Sequence, residues 1–295
     1  MPMSKYLFSL VILLSLIVGL FLPGVTLLWK DYLTFLLALL MFFSALRVEK
    51  KELRGAGLKK LLTLLLFVFI IMPLLSLPFK LSQPLTFVGV LIALSSPSAA
   101  ATAFFCSFLG GDIALGVAIS FISSLLATIT MPLTIHALAG AVVPVDNSKI
   151  FTILFEVIII PILVALISKK FVKKITEAIN NHKDYQLIVM FLLSSGLMGI
   201  SHDVIEGNEY QFLELTAVIL LLLLFGGVLA YFFGRRYGKK TAITFFVATG
   251  VKNAMLAFAI VLELFGIAAV LPMVANLVAQ FILMALFEVL GCRIL

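Results

Sequence analysis

Apolar residues fill this chain in blocks of about 15 to 25, close to the roughly 20 that a helix needs to cross the hydrocarbon of a bilayer. Short polar segments separate the blocks from one end to the other. The pattern predicts ten helices, over 6–22, 28–46, 61–79, 85–109, 112–139, 150–168, 185–201, 212–234, 240–264 and 267–291. Met1 to Gly24 carries Lys5 ahead of an apolar stretch, as a secretory signal does, but no small-x-small cleavage site follows. It is expected to stay as the first span.

Composition narrows the class. Of 295 residues, 63% are hydrophobic and 12% charged, against roughly 45–50% and about 25% in soluble domains. A water-soluble globular enzyme is excluded, and two cysteines, Cys106 and Cys292, build no disulfide scaffold. One all-α transmembrane domain over 1–295 is expected. Net charge is +7, yet the basic residues fall between apolar runs, so they report membrane orientation and not a nucleic-acid partner. With the amino terminus inside, Lys5, the cluster Arg47 to Lys60, the cluster Lys169 to Lys183, Arg235 to Lys240 and Arg293 are cytoplasmic, while Lys30, Lys80 and Lys149 are outside. A multi-pass protein of the cell membrane with both termini cytoplasmic is predicted.

One basic residue belongs to neither side. Lys252 falls near the middle of the ninth span, whereas Glu214, Glu263 and Glu288 fall near span ends and can reach headgroups or water. Glu156, about two turns into the sixth span, receives no role. The fourth span is interrupted by Ser95-Ser96-Pro97-Ser98-Ala99-Ala100-Ala101-Thr102, where Pro97 removes a backbone donor among small residues. Halving the chain at the polar loop Pro144 to Lys149 makes the fourth and ninth spans the fourth member of each half. Five spans is an odd number, so the halves, about 1–144 and 150–295, are inverted relative to each other. Inverted repeats with paired broken helices are the pattern of secondary transporters. Half-helix amino ends favour anions and exposed carbonyls favour cations.

The residues around both breaks resemble the bile acid:sodium symporter family, of which the chain looks like a divergent member. Pro97-Ser98-Ala99-Ala100-Ala101-Thr102-Ala103, then Gly111-Asp112-Ile113-Ala114-Leu115, follow that family's fourth-helix signature, approximately Pro-Gly-Gly-Thr-x-Ser-Asn and Gly-Asp/Asn-x-Ala-Leu-Ser. Gly250, Asn253, Leu256 and Ala257 match the ninth-helix signature, approximately Glu-x-Gly-x-Gln-Asn-x-x-Leu-Ala. The resemblance implies two inverted five-helix repeats, with helices 3–5 and 8–10 forming a core and helices 1, 2, 6 and 7 a moving panel. It also implies a small organic anion as substrate, such as a bile acid, pantoate or another carboxylate, driven by sodium.

The departures cluster on the sodium sites. The family's Ser-Asn is Thr102-Ala103, its second Ser is Gly116, and its ninth-helix Glu and Gln are Ala248 and Lys252. Sodium is held by several oxygens at once, by analogy with other hard cations; Thr102 and Ser120 retain hydroxyls, which leaves residual ligation open, but the carboxylate is gone. Lys252 is therefore read as a fixed charge in place of a sodium ion. A lysine at mid-bilayer costs roughly 2.5–3.5 kcal/mol, so it needs partners: Ser120, Ser123, carbonyls near Pro97, or the substrate. No cofactor is expected, sodium coupling is expected to be weak or absent, and proton coupling, uniport and exchange stay open.

Each residue also has a plainer reading. Lys252 can be a structural cation on backbone carbonyls, Asn253 a helix cap, and Pro97, Ser98 and Thr102 an ordinary kink. Gln280 and Asn276 can face a cavity or bond between helices. The site set from sequence is Pro97, Ser98, Thr102, Ser120, Ser123, Thr249, Lys252, Asn253 and Gln280. Against the leading reading, a sodium-independent anion transporter, stand ordinary sodium symport through Thr102, Ser120, Ser123 and Thr249, and a receptor or scaffold that moves nothing. An intramembrane enzyme lacks its nucleophile, base or metal pattern.

Overall fold

A computed structural model describes residues 7–81, 83–172, 176 and 184–294. The chain runs through α1 (Leu7–Phe21), α2 (Pro23–Arg47), α3 (Leu58–Leu81), α4 (Pro84–Ser95), α5 (Thr102–Leu109), α6 (Ile113–Ala139), α7 (Asn147–Phe171), α8 (Asp184–Ile200), α9 (Glu209–Tyr237), α10 (Lys239–Gly250), α11 (Ala254–Phe265) and α12 (Leu271–Ile294). α2, α3, α6, α7, α9 and α12 are long and apolar enough to cross a membrane, and α1, α4, α8 and α11 carry shorter apolar stretches. Their outward faces hold Phe35, Leu133, Leu221 and Phe225, each more than half exposed. A surface of this kind suits lipid, where helices satisfy their own backbone groups. The protein is an all-helical, multi-pass membrane protein.

Helix ends differ from the apolar runs by a few residues, for a physical reason. α3 starts at Leu58 and includes Lys59 and Lys60, and α9 starts at Glu209. Hydropathy marks where lipid begins, whereas the helix continues until its backbone is capped. Gly57, at φ +76°, turns the chain into α3, and Gly110, at φ +74°, ends α5 in the left-handed conformation. Asp112 caps α6 by accepting from the Leu115 amide at 3.1 Å. It also joins α6 to α10, because its own amide donates to Thr244 Oγ1 at 2.8 Å.

Close packing is built from small residues. A Cβ on Gly19 of α1 would lie 2.5 Å from Met198 Cβ and 2.6 Å from the Ser195 carbonyl oxygen of α8. A Cβ on Gly234 of α9 would lie 2.8 Å from Ala242 Cα of α10. Backbones approach this closely only where side chains are missing.

One expectation fails here. Glu288, placed by sequence near headgroups or water, is 1% exposed and sits in the packed interior beside Phe287. Its position near the end of a span does not settle which face of α12 it occupies. Glu156 is exposed, on a turn of α7 wound with five-residue spacing over Phe155–Ile159.

Candidate functional site

The two interruptions meet. α4 stops at Ser95 because Pro97 follows: the residue before a proline is driven out of the helical region, and Ser96 is extended at φ −62°, ψ 150°. α10 stops at Gly250, and Val251 is extended at φ −97°, ψ 91°. The two extended pieces pair as a short antiparallel bridge between Ser98 and Lys252. The Ala99 amide donates to the Val251 carbonyl at 2.9 Å, and the Asn253 amide donates to the Pro97 carbonyl at 2.8 Å. Each break thus supplies the backbone partners the other has lost, which is what burial of an irregular segment requires.

Side chains complete the crossing. Ser123 Oγ accepts from the Ser98 amide at 3.1 Å, and the Ser98 and Thr102 hydroxyls share a hydrogen bond of 2.9 Å. Ser120 Oγ donates to the Ala99 carbonyl at 2.8 Å. Gln280 Oε1, from α12, accepts from the Lys252 amide at 2.9 Å, and Gln280 Nε2 donates to Asn276 Oδ1 at 3.2 Å. Asn253 caps α11 by accepting from the Leu256 amide at 3.2 Å. Eight of the nine residues chosen from sequence therefore belong to one network. Thr249 does not join it: its hydroxyl donates back to the Phe245 carbonyl of its own helix at 2.7 Å.

The Lys252 side chain is 1% exposed. Its ammonium donates to the Ser96 carbonyl at 2.8 Å and to the Val68 carbonyl of α3 at 3.0 Å. The carbonyl beside Pro97 was among the expected partners; Ser120 and Ser123 were too, but their hydroxyls are directed to the backbone of the fourth-span break instead. Val68 is the partner that sequence reasoning missed. It lies in a turn of α3, Phe67–Ile71, where the Met72 amide bonds five residues back to the Phe67 carbonyl. The next donor along is Pro73, which has no N–H. The ladder thus passes Val68 O by, and Lys252 fills the gap. Pro73, inside an apolar run, was the signal available in the sequence.

Beside the crossing lies a cavity of about 420 Å³, within the roughly 300–1,000 Å³ range of small-molecule sites. Ala99, Ala100 and Ala101 at the start of α5 line it, with Asn253, Ala254 and Met255 at the start of α11. Two helix amino ends therefore border one space, a setting that favours an anion. Ser120, Lys252 and Gln280 also line it, as do Ser44 and Arg47 of α2 and Gln186 of α8. Among the described residues that line it, none is acidic.

Away from this cavity, His202, Asp203 and Glu206 bring potential metal-ligand atoms within 4.8 Å of one another. Both acids are exposed and the cluster lies between α8 and α9, so it contributes nothing to the crossing.

Buried interruptions paired across a bundle of membrane helices, opening on a cavity of ligand size, define a membrane transport protein. The match to known sequences makes this specific. The sodium bile acid symporter family model covers residues 34–223, and the chain belongs to that family of secondary transporters. It is 24% identical over 279 residues to an uncharacterized sodium-dependent transporter of Bacillus subtilis (strain 168), YocS, covering 90% of this chain and 84% of that one. It is 26% identical over 269 residues to a probable chloroplastic sodium/metabolite cotransporter of Oryza sativa subsp. japonica, BASS2, covering 85% of this chain and 62% of the plant protein. A second Bacillus subtilis protein, YbaS, is 22% identical over 265 residues, covering 85% of each. The family and the names of these relatives indicate a transporter and not an enzyme.

Proposed function

We propose that this protein carries a small organic anion across the membrane by alternating access, without sodium, and that Lys252 occupies permanently the place of an exchangeable cation. The observation that carries the reading is the Lys252 ammonium held by the Ser96 and Val68 carbonyls at 2.8 and 3.0 Å. Backbone carbonyls at a helix break are cation ligands, and here an amine uses them. Thr102 and Ser120 hydroxyls are engaged at 2.9 and 2.8 Å with Ser98 and the Ala99 carbonyl. The anion occupies the cavity beside the two helix amino ends.

The mechanical half of the proposal is ten crossings in two inverted five-helix repeats, with α3–α6 and α9–α12 as a core and α1, α2, α7 and α8 as a panel. Close packing of α1 on α8 and of α9 on α10 supports two separate bodies, and the cavity lies where α2 and α8 face the breaks. In this proposal the amino and carboxyl ends both face the cytoplasm. With Lys252 fixed, the driving force is exchange, a proton, or the anion gradient itself.

Ordinary sodium symport is the second reading. It draws on the names of the relatives, one called sodium-dependent and one a sodium/metabolite cotransporter, with oxygen ligands from Thr102, Ser120, Ser123 and Thr249. Uptake into reconstituted vesicles, measured in sodium and in potassium at matched ionic strength, decides between them. Equal rates are expected, and a strong sodium requirement overturns the proposal in favour of the second reading. A broad panel of carboxylates that is not taken up at all moves the protein toward a receptor or scaffold.

A further inference from the structure

Among the described residues, two cations line the cavity, and they differ in what holds them. The Lys252 ammonium is committed to two carbonyls. Arg47 closes α2 at the rim, partly open to solvent, and the hydrogen bond of its guanidinium runs from Nη1 to Gln186 Oε1 of α8, a neutral acceptor. A guanidinium carries five donors in a planar fork that matches a carboxylate in pairs, and one amide oxygen uses little of that capacity. Among the described residues no ion pair joins Arg47 to a carboxylate.

The carbonyls at the end of α2 are already taken by another cation. An arginine at a helix end commonly folds back onto the last carbonyls of its own helix. Here Lys169 of α7 takes that role, donating to the Val48 carbonyl at 2.6 Å and to the Ala45 carbonyl at 3.3 Å. Leu40, Met41, Ser44 and Arg47, spaced along one face of α2, line the cavity together with Val48 just beyond the helix. The same cavity is lined by Phe104, Phe121, Met190, Met255 and Met284, which give it an apolar wall.

We infer that Arg47 receives the acid group of the transported molecule, with Gln186 holding the guanidinium until a carboxylate displaces it. Resting on the anion-transport reading above, this assigns the substrate an amphipathic form: a carboxylate at the rim and an apolar body against the methionine and phenylalanine walls. Arg47 is then a specificity-determining residue, because it separates an acid from a neutral molecule of the same shape.

The test is thermal stabilisation of the purified protein by potassium hexanoate and benzoate, each against its neutral amide, hexanamide and benzamide. The parent protein is expected to favour the acids, and the preference should shrink as KCl rises, since a rim charge is screened by salt. Arg47→Gln is expected to weaken acid binding about tenfold or more while leaving the amides unchanged. Gln186→Glu is the deciding variant. It keeps Arg47 but gives it a resident carboxylate, so the acid preference is expected to disappear, whereas Gln186→Ala keeps it. If the pair only braces α2 against α8, Gln186→Glu strengthens the brace and the preference survives, which overturns the inference. A preference that is unchanged in Arg47→Gln, or insensitive to salt in the parent, overturns it too and leaves anion transport standing. No acid preference in the parent removes both readings, and the salt series needs no variant to fold.

Discussion

The Lys252 ammonium and the Val68 carbonyl oxygen lie 3.0 Å apart, joining a broken crossing to a helix that is itself wound irregularly. The irregular winding leaves Val68 O available, and Pro73 is the reason it stays so. Replacing Pro73 by alanine returns an N–H to the ladder, which then competes with Lys252 for that carbonyl. Lys252→Met should therefore destabilise the Pro73→Ala protein less than the parent, with a coupling on the order of 0.5–3 kcal/mol. Unfolding in detergent of the two single variants and the double variant measures it, and strict additivity counts against the link.

Removing the amine alone strands buried acceptors. Methionine has similar length but no donor, so Lys252→Met leaves the Ser96 and Val68 carbonyls without their partner in a region closed to water. An unsatisfied buried group costs about 1–3 kcal/mol, and loss of the charge penalty offsets part of this. A net loss of stability is expected. An unchanged melting temperature would mean that other donors satisfy those carbonyls.

Restoring the family residues should restore the family's ion. On the proposed reading, Ala248→Glu with Lys252→Gln puts back the carboxylate and the amide that the resembled ninth-helix signature carries at those two positions. The parent is expected to show no difference in melting temperature between sodium and potassium chloride, and the double variant to be stabilised selectively by sodium. A sodium-selective shift already present in the parent sinks the replacement idea.

Much of this arrangement was legible in the sequence, because membranes impose strong patterns. Apolar run length located the helices, and Lys252 announced itself by sitting where charge is costly. The proline and small residues at 95–102 marked one break, and its expected counterpart at Gly250 to Asn253 does pair with it. What stayed hidden depends on which way a helix turns. Glu288 is buried instead of reaching headgroups, and Thr249 bonds its own helix although it is three residues from Lys252. Arg47 read as one more positive charge on the inner side, since its partner Gln186 and the facing wall of the cavity are far away in sequence. Val68 was invisible for another reason: its contribution is a backbone oxygen, freed by a proline five residues later.

Ser123 offers a test of the crossing that leaves Lys252 untouched. Its hydroxyl accepts from the Ser98 amide at 3.1 Å, while Ser98 Oγ is engaged with Thr102. Ser123→Ala leaves that amide without an acceptor inside the bundle, at a cost of about 1–3 kcal/mol. Ser123→Cys, with a weak acceptor of similar shape, should fall between alanine and the parent. If alanine and cysteine behave alike and near the parent, the extended strand at Ser98 does not depend on α6.

The last prediction concerns the joint between α1 and α8, on which the panel reading depends. A methyl on Gly19 would press on the Ser195 carbonyl oxygen at 2.6 Å and on Met198 Cβ at 2.5 Å. Neither is the free end of a flexible side chain, so relief requires the helices to move apart. Overpacking of this kind costs about 1–3 kcal/mol, and Gly19→Ala should lower the melting temperature accordingly. Gly24→Ala is the matched control, because a methyl there meets nothing within 4 Å, and it should shift stability by less than about 0.5 kcal/mol. If α1 and α8 travel as one body, the loss should appear in stability with acid binding preserved. An acid affinity that falls in Gly19→Ala, measured well below its melting temperature, would show that α1 and α8 shift against each other during the cycle, and the panel would then have to be redrawn.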